Sequence, residues 1–135
     1  MNILFFLTPK SDVVYIYSDD TLKQALEKME YYRYSALPIL TKNGHYLGTI
    51  TEGDLLWYLS NMKKTFDWKM AEEIPITEVS RLKDNTPVFV QCNMEDLMSK
   101  ALKQNFVPVI DDNKIFIGII TRKDIIQYLY KKIEK

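Results

Sequence analysis

The sequence predicts an α/β chain in which two tandem βαββα repeats each occupy half of the length. Three observations carry this. The stretch 46–59, YLGTITEGDLLWYL, returns seventy residues later over 116–129 as FIGIITRKDIIQYL. Gly48/Gly118, Ile50/Ile120, Thr51/Thr121, Asp54/Asp124, Tyr58/Tyr128 and Leu59/Leu129 are identical, six of fourteen positions where chance gives roughly one. Ahead of each copy runs an apolar stripe at i, i+3, i+4, i+7: Leu22, Ala25, Leu26 and Met29, then Met94, Leu97, Met98 and Ala101. Between stripe and copy lies a proline-bearing apolar run and a polar turn, the pattern of a β-hairpin.

In chain order, residues 3–7 make a short apolar entry closed by Thr8 and Pro9. Val13, Val14, Tyr15, Ile16 and Tyr17 are β-branched or aromatic and predict a strand. Asp19, Asp20 and Thr21 offer caps to the helix that carries the first stripe. Residues 36–40 and 47–50 pair across a turn at Asn43 and Gly44, with His45 at the tip, and from Thr51 the period becomes helical through Leu55, Leu56, Leu59 and Met62. That period fades in the charged stretch 63–73. The expected organisation is a first repeat over 1–65, a linker over 66–75 and a second repeat over 76–135.

The second half follows the same order. It has a strand at 88–90, the Met94 helix, a hairpin of 107–110 with 115–120, and a helix bearing Ile126, Leu129, Tyr130 and Ile133. The helix stripes are offset by 72 residues but Pro38 and Pro108 by 70, so repeat two has lost two residues between its first helix and the next strand. Both prolines are expected at equivalent places on their strands, since proline has no N–H to give to a ladder and is tolerated at strand starts and edges.

The totals exclude several classes. With 135 residues, 47% apolar and 27% charged, the chain is an ordinary globular one, and two units of about 60 residues are marginal unless they share a core. No apolar run reaches the ~18 residues of a membrane span. Eighteen basic and eighteen acidic residues cancel, which gives no field for nucleic acid or an anionic membrane. Cys92 is the single cysteine and the N-terminus lacks a signal-peptide pattern, so the cytoplasm is the expected compartment.

Catalysis lacks its usual parts: the sequence shows no nucleophile with a base, no paired acid and base, no metal cluster, no phosphate loop and no CxxC. The expectation is no enzyme activity, no metal and no cofactor. What the chain repeats is GxxTxxD where a strand ends and a helix begins. The glycine admits close approach to the backbone, and the threonine hydroxyl beside free first-turn N–H groups favours an anion such as phosphate. The carboxylate, three residues on, can accept from the two hydroxyls of a ribose. Thr-x-x-Asp is equally a capping box, and both readings can hold together.

These residues resemble the CBS domains, named after cystathionine beta-synthase, which occur as tandem pairs called Bateman modules. The resemblance rests on YSALPILTKNGHYLGTITEGDLL in repeat one and QNFVPVIDDNKIFIGIITRKDII in repeat two. It implies two repeats packed sheet to sheet about a pseudo-twofold axis, with two clefts that commonly take AMP, ADP, ATP, S-adenosylmethionine or cyclic di-AMP. By resemblance, Asp124 holds the ribose, Thr121 and Arg122 the phosphate side, and Tyr34, Ser35 and the segment from Ser11 to Val13 flank the adenine. The reciprocal set is Thr51 and Asp54 with Asn105 and Phe106. Glu52 stands where Arg122 does and Gly53 where Lys123 does, so the Asp124 site is expected to bind the phosphate-bearing ligand more tightly.

The tyrosines Tyr31 and Tyr32 are expected in core or dimer packing rather than on a nucleic-acid base. The resulting expectation is a non-catalytic sensor of an adenine nucleotide. It would act through a separate effector or through its own homodimer, which the resemblance places on the helices. The alternatives are a cyclic di-AMP or S-adenosylmethionine sensor, or a ligand-free interaction platform. An amino-acid-binding regulatory domain of βαββαβ plan gives no reason for the repeated threonine and aspartate.

Overall fold

A computed structural model describes residues 2–134, the side chain of Glu134 excepted; Met1 and Lys135, the outer ends of the two expected repeats, lie outside the described residues. The chain divides into two compact units that cut across the order of the repeats. Residues 14–84 form one, and residues 2–13 together with 85–134 form the other.

The 14–84 unit contains β2 (Ile16–Tyr17), α1 (Leu22–Tyr32), β3 (Ala36–Leu40), β4 (Tyr46–Thr51), α2 (Glu52–Ser60) and α3 (Trp68–Ala71). Its sheet runs β2-β3-β4, with β2 parallel and β4 antiparallel to β3. Thr21 caps α1 reciprocally with Gln24, and the helix ends at Arg33 in the left-handed region at φ 60°. Leu22, Ala25 and Met29 face the core with Ile16, Leu37, Ile39 and Ile50, as the stripe requires. The expected strand over 13–17 is shorter, because β3 gives a ladder partner only to Ile16 and Tyr17.

The stretch expected as a linker is not featureless. Asp67 accepts the Lys69 N–H at 3.0 Å and starts the one-turn α3, Ala71 is fully buried in the core, and Lys23 bonds Glu72 at 2.6 Å. Tyr31 is 81% exposed, so it does not join the core.

The other unit contains β1 (Thr8–Pro9), β5 (Val88–Phe89), α4 (Met94–Lys103), β6 (Phe106–Ile110), β7 (Phe116–Thr121) and α5 (Arg122–Glu134). Its sheet runs β1-β7-β6-β5. The apolar entry is a 3-10 turn over Ile3–Phe6 whose Ile3 and Phe6 are buried, followed by β1 antiparallel to β7. Core residues Leu97, Val107, Val109 and Ile120 come from the predicted stripe and hairpin, but α5 turns Ile125 and Tyr128 to the core, and the expected face of Ile126, Leu129, Tyr130 and Ile133 is exposed.

The two hairpins match with an offset of 70 at every paired position, including a bulge after Ile39 and after Val109. The missing two residues are one residue of helix and one of connector. Repeat one spans eleven helical residues and three connecting ones before β3, and repeat two spans ten and two before β6. Pro38 and Pro108 occupy matching places, but in central strands rather than edges. Pro38 faces Thr49, whose N–H points away from β3 to Asp84 at 2.9 Å, so the proline nitrogen faces β2. Pairing with β2 begins only at Ile39, and with β5 only at Val109, which leaves each proline where no donor is needed.

Candidate functional site

Each GxxTxxD sequence folds as expected into a strand-to-helix junction. β4 ends at Thr51 and α2 begins at Glu52; β7 ends at Thr121 and α5 begins at Arg122. Both hydroxyls accept the N–H of the aspartate three residues on, at 3.1 Å in each repeat. The first N–H of each helix is also taken, by Ser35 O in repeat one and Asn105 O in repeat two, both at 2.9 Å. Of the first-turn donors, Gly53 and Lys123 N–H are left for an anion.

The aspartates differ. Asp54 is 7% exposed, and both of its oxygens accept main-chain N–H groups: Thr51 at 3.0 Å and Leu82 at 3.1 Å. Asp124 is half-buried and its carboxylate accepts no hydrogen bond from a described residue. It opens on a recess of about 370 Å3 lined by Phe5, Phe6, Thr8, Gln127, Tyr128 and Lys131. The matching recess beside Asp54, also about 370 Å3, has Trp57, Asn61 and Met62 at the places of Gln127, Lys131 and Lys132. A cation therefore lines the Asp124 recess and none lines the other.

The glycines also meet different neighbours. A Cβ on Gly118 would run into Thr8 O and come 3.1 Å from Pro9 Cα, both main chain. A Cβ on Gly48 would run into the Asp84 carboxylate and come 2.7 Å from Arg81 Nε. In both repeats the group that needs the glycine is supplied by the chain itself. Arg81 holds Asp84 through Nε at 2.8 Å and Nη2 at 3.3 Å. Burial opposes ionisation of Asp84, but the Arg81 hydrogen bond, the Thr49 N–H and the Arg81 charge outweigh it and hold its pKa below the ordinary carboxylate value.

The remaining candidates are scattered more widely. Arg122 donates from Nε to Ala101 O at 2.7 Å and from Nη2 to Leu102 O at 3.5 Å, which places its fork on the C-terminal carbonyls of α4. Glu52 is exposed. Tyr34 is 49% exposed and stacks on Tyr32 with centroids 5.9 Å apart, and Ser35 is exposed beside it. Ser11 lies exposed in the turn Lys10–Asp12, in the same compact unit as Thr121 and Asp124. Asn105 is exposed, whereas Phe106 is 7% exposed and alternates with Val107 and Val109, the β6 residues that face the core.

Sequence reasoning missed Arg81, Leu82 and Asp84, which lie 27 to 30 residues beyond Asp54 with no local periodicity to mark them. It also missed Gln127 and Lys131; these follow Asp124 at i+3 and i+7, a helical spacing that could have shown them on one face. Cys92 is half-buried, and burial, with Asp96, raises its pKa, so the group is a thiol rather than a reactive thiolate. No group of His, Cys, Asp and Glu able to hold a metal occurs among the described residues. No described helix is long and apolar enough to cross a membrane.

Solved structures share this fold. The crystal structure of CbpB in complex with c-di-AMP superposes with a TM-score of 0.87 at 25% identity, covering 99% of this chain and 87% of that one. Cyclic di-AMP receptor B of Bacillus subtilis is 24% identical over 95% of this chain and 86% of its own length. Inosine-5'-monophosphate dehydrogenase of Methanocaldococcus jannaschii is 28% identical over 86% of this chain, which spans only about a fifth (21%) of that enzyme. The CBS domain family matches twice, over residues 6–61 and 71–131, and the chain belongs to that family as a tandem pair of CBS domains.

Proposed function

We propose that the chain is a non-catalytic regulatory module that binds an adenine nucleotide, with Asp124 receiving the ribose hydroxyls and Thr121 ordering the junction. The observation that carries this is the unengaged Asp124 carboxylate opening on a recess that also holds Gln127 and Lys131. A carboxylate suits a vicinal diol, and an ammonium group suits the phosphate attached to it. Ser11, Tyr34 and Ser35 join this site by family resemblance, and Thr51, Asp54, Asn105 and Phe106 form the reciprocal set. Arg122 reaches a phosphate only by leaving Ala101.

Cyclic di-AMP heads the candidates, since two relatives that cover more than four fifths of both chains are a cyclic di-AMP receptor and a protein crystallised with that nucleotide. AMP, ADP and ATP follow. The module works in the cytoplasm, where these nucleotides are made, and passes its signal to a separate effector or through a homodimer. The test is thermal denaturation with each nucleotide. At about 100 times the dissociation constant, the native state gains about 2.7 kcal/mol and the midpoint rises several degrees. Asp124→Ala should cut the rise by about half or more at the same nucleotide concentration, and a parent protein that none of the four nucleotides stabilises would overturn the reading.

A further inference from the structure

We infer that segment 81–84 is a built-in latch on the repeat-one junction, so that the chain takes one nucleotide, at Asp124, rather than two. This rests on the nucleotide reading above and adds what decides the count. β4 is an outer strand, and its Thr49 N–H would face solvent; instead it donates to Asp84 Oδ1 at 2.9 Å. Arg81 holds that carboxylate from the other side by two bonds. The clip between Arg81 and Asp84 fixes the backbone turn between them, and Leu82 N–H in that turn reaches Asp54 Oδ1 at 3.1 Å.

A ligand hydroxyl arriving at Asp54 therefore meets a carboxylate already holding two N–H groups and shielded to 7% exposure. Each oxygen keeps a lone pair, but the covering segment leaves the group only 7% exposed, so a hydroxyl reaches it only when segment 81–84 moves aside and the Leu82 bond is given up, a step absent at Asp124. Leu82 itself is 95% exposed, so the side chain contributes no packing that would hold the segment; the polar latch does. Gly48 completes the device, since any side chain there would push the Asp84 carboxylate off β4.

The experiment counts bound nucleotide per chain by calorimetric titration of the full chain with cyclic di-AMP and with ATP. Amide hydrogen exchange at Thr49 and Leu82 is followed in parallel. The parent should bind one equivalent, weakened about tenfold or more by Asp124→Ala. The double variant Arg81→Ala, Asp84→Ala should bind a second equivalent, and adding Asp54→Ala to it should return the count to one. Thr49 and Leu82 amides should be protected in the parent and exchange faster in the double variant. Two equivalents in the parent, or one in the double variant with its amides freed, would overturn the latch as the counting device. Unprotected amides in the parent would overturn the latch itself. Binding by no variant would overturn the nucleotide reading instead, while protected amides would still place the latch on Asp54.

Discussion

The two repeats finish the outer edge of their hairpins in different ways. In repeat two, β7 is covered by a strand, with Thr8 and Pro9 opposite Ile119 and Gly118. In repeat one, β4 is covered at the matching residue, Thr49, by the Asp84 carboxylate held on Arg81. Main chain covering main chain leaves the neighbouring Asp124 unengaged. A side-chain cover brings its own turn with it, and that turn engages Asp54. The lesson is that a duplicated motif can keep its residues while its two copies diverge in what those residues do.

Substitution at the two glycines should give the largest effects and should separate the two covers. Gly118→Ala sets a side chain against Thr8 O and Pro9 Cα, with φ at +156°, and neither the main chain nor that dihedral yields readily. A loss of about 2–4 kcal/mol is expected by urea denaturation. Gly48→Ala meets only the ends of Asp84 and Arg81, which can swing away, so about 1–2 kcal/mol is expected, with Thr49 N–H exposed. Equal costs would mean the two edges are covered alike.

Next in size is the contrast between the aspartates. Asp54→Ala strands the Thr51 and Leu82 N–H groups and should cost about 2–3 kcal/mol of stability. Asp124→Ala removes only a first-turn acid and should cost no more than about 1. A reversed order would make Asp124 the structural residue.

Much of this fold was legible, for identifiable reasons. The stripes of Leu22 and Met94 and the matched Pro38 and Pro108 report local periodicity and backbone chemistry, which travel with the sequence. Thr21, Thr51 and Thr121 could be read as caps because a cap acts within three residues. The edge cover could not be read that way. Asp84 reaches Thr49 across 35 residues, and β1 reaches β7 across more than a hundred, with no pattern linking partner to partner. Arg122 shows a related limit: its position at a helix start suggests an anion, while its length also lets it reach the α4 carbonyls.

Acid should weaken one cover and spare the other. The folded pKa of Asp84 lies below its unfolded value, so its contribution is complete above about 3.9 and is lost as pH falls through the lowered folded value. Denaturation midpoints of the parent should therefore fall further than those of Arg81→Leu between roughly pH 5 and pH 2.5. Parallel falls would show that the clip does not hold Asp84 ionised. The smallest effect belongs to Arg122→Ala, about 0.5–1 kcal/mol for the lost bonds to α4, with nucleotide affinity unchanged. A tenfold weaker affinity in that variant would return Arg122 to the phosphate.

The unequal use of Asp54 and Asp124 is tested most directly by a crystal structure of the chain grown with cyclic di-AMP. The account predicts ribose oxygens within hydrogen-bond distance of the Asp124 carboxylate, and Leu82 N–H still on Asp54 Oδ1. Ribose oxygens on Asp54, with Leu82 displaced and Asp124 empty, would contradict it.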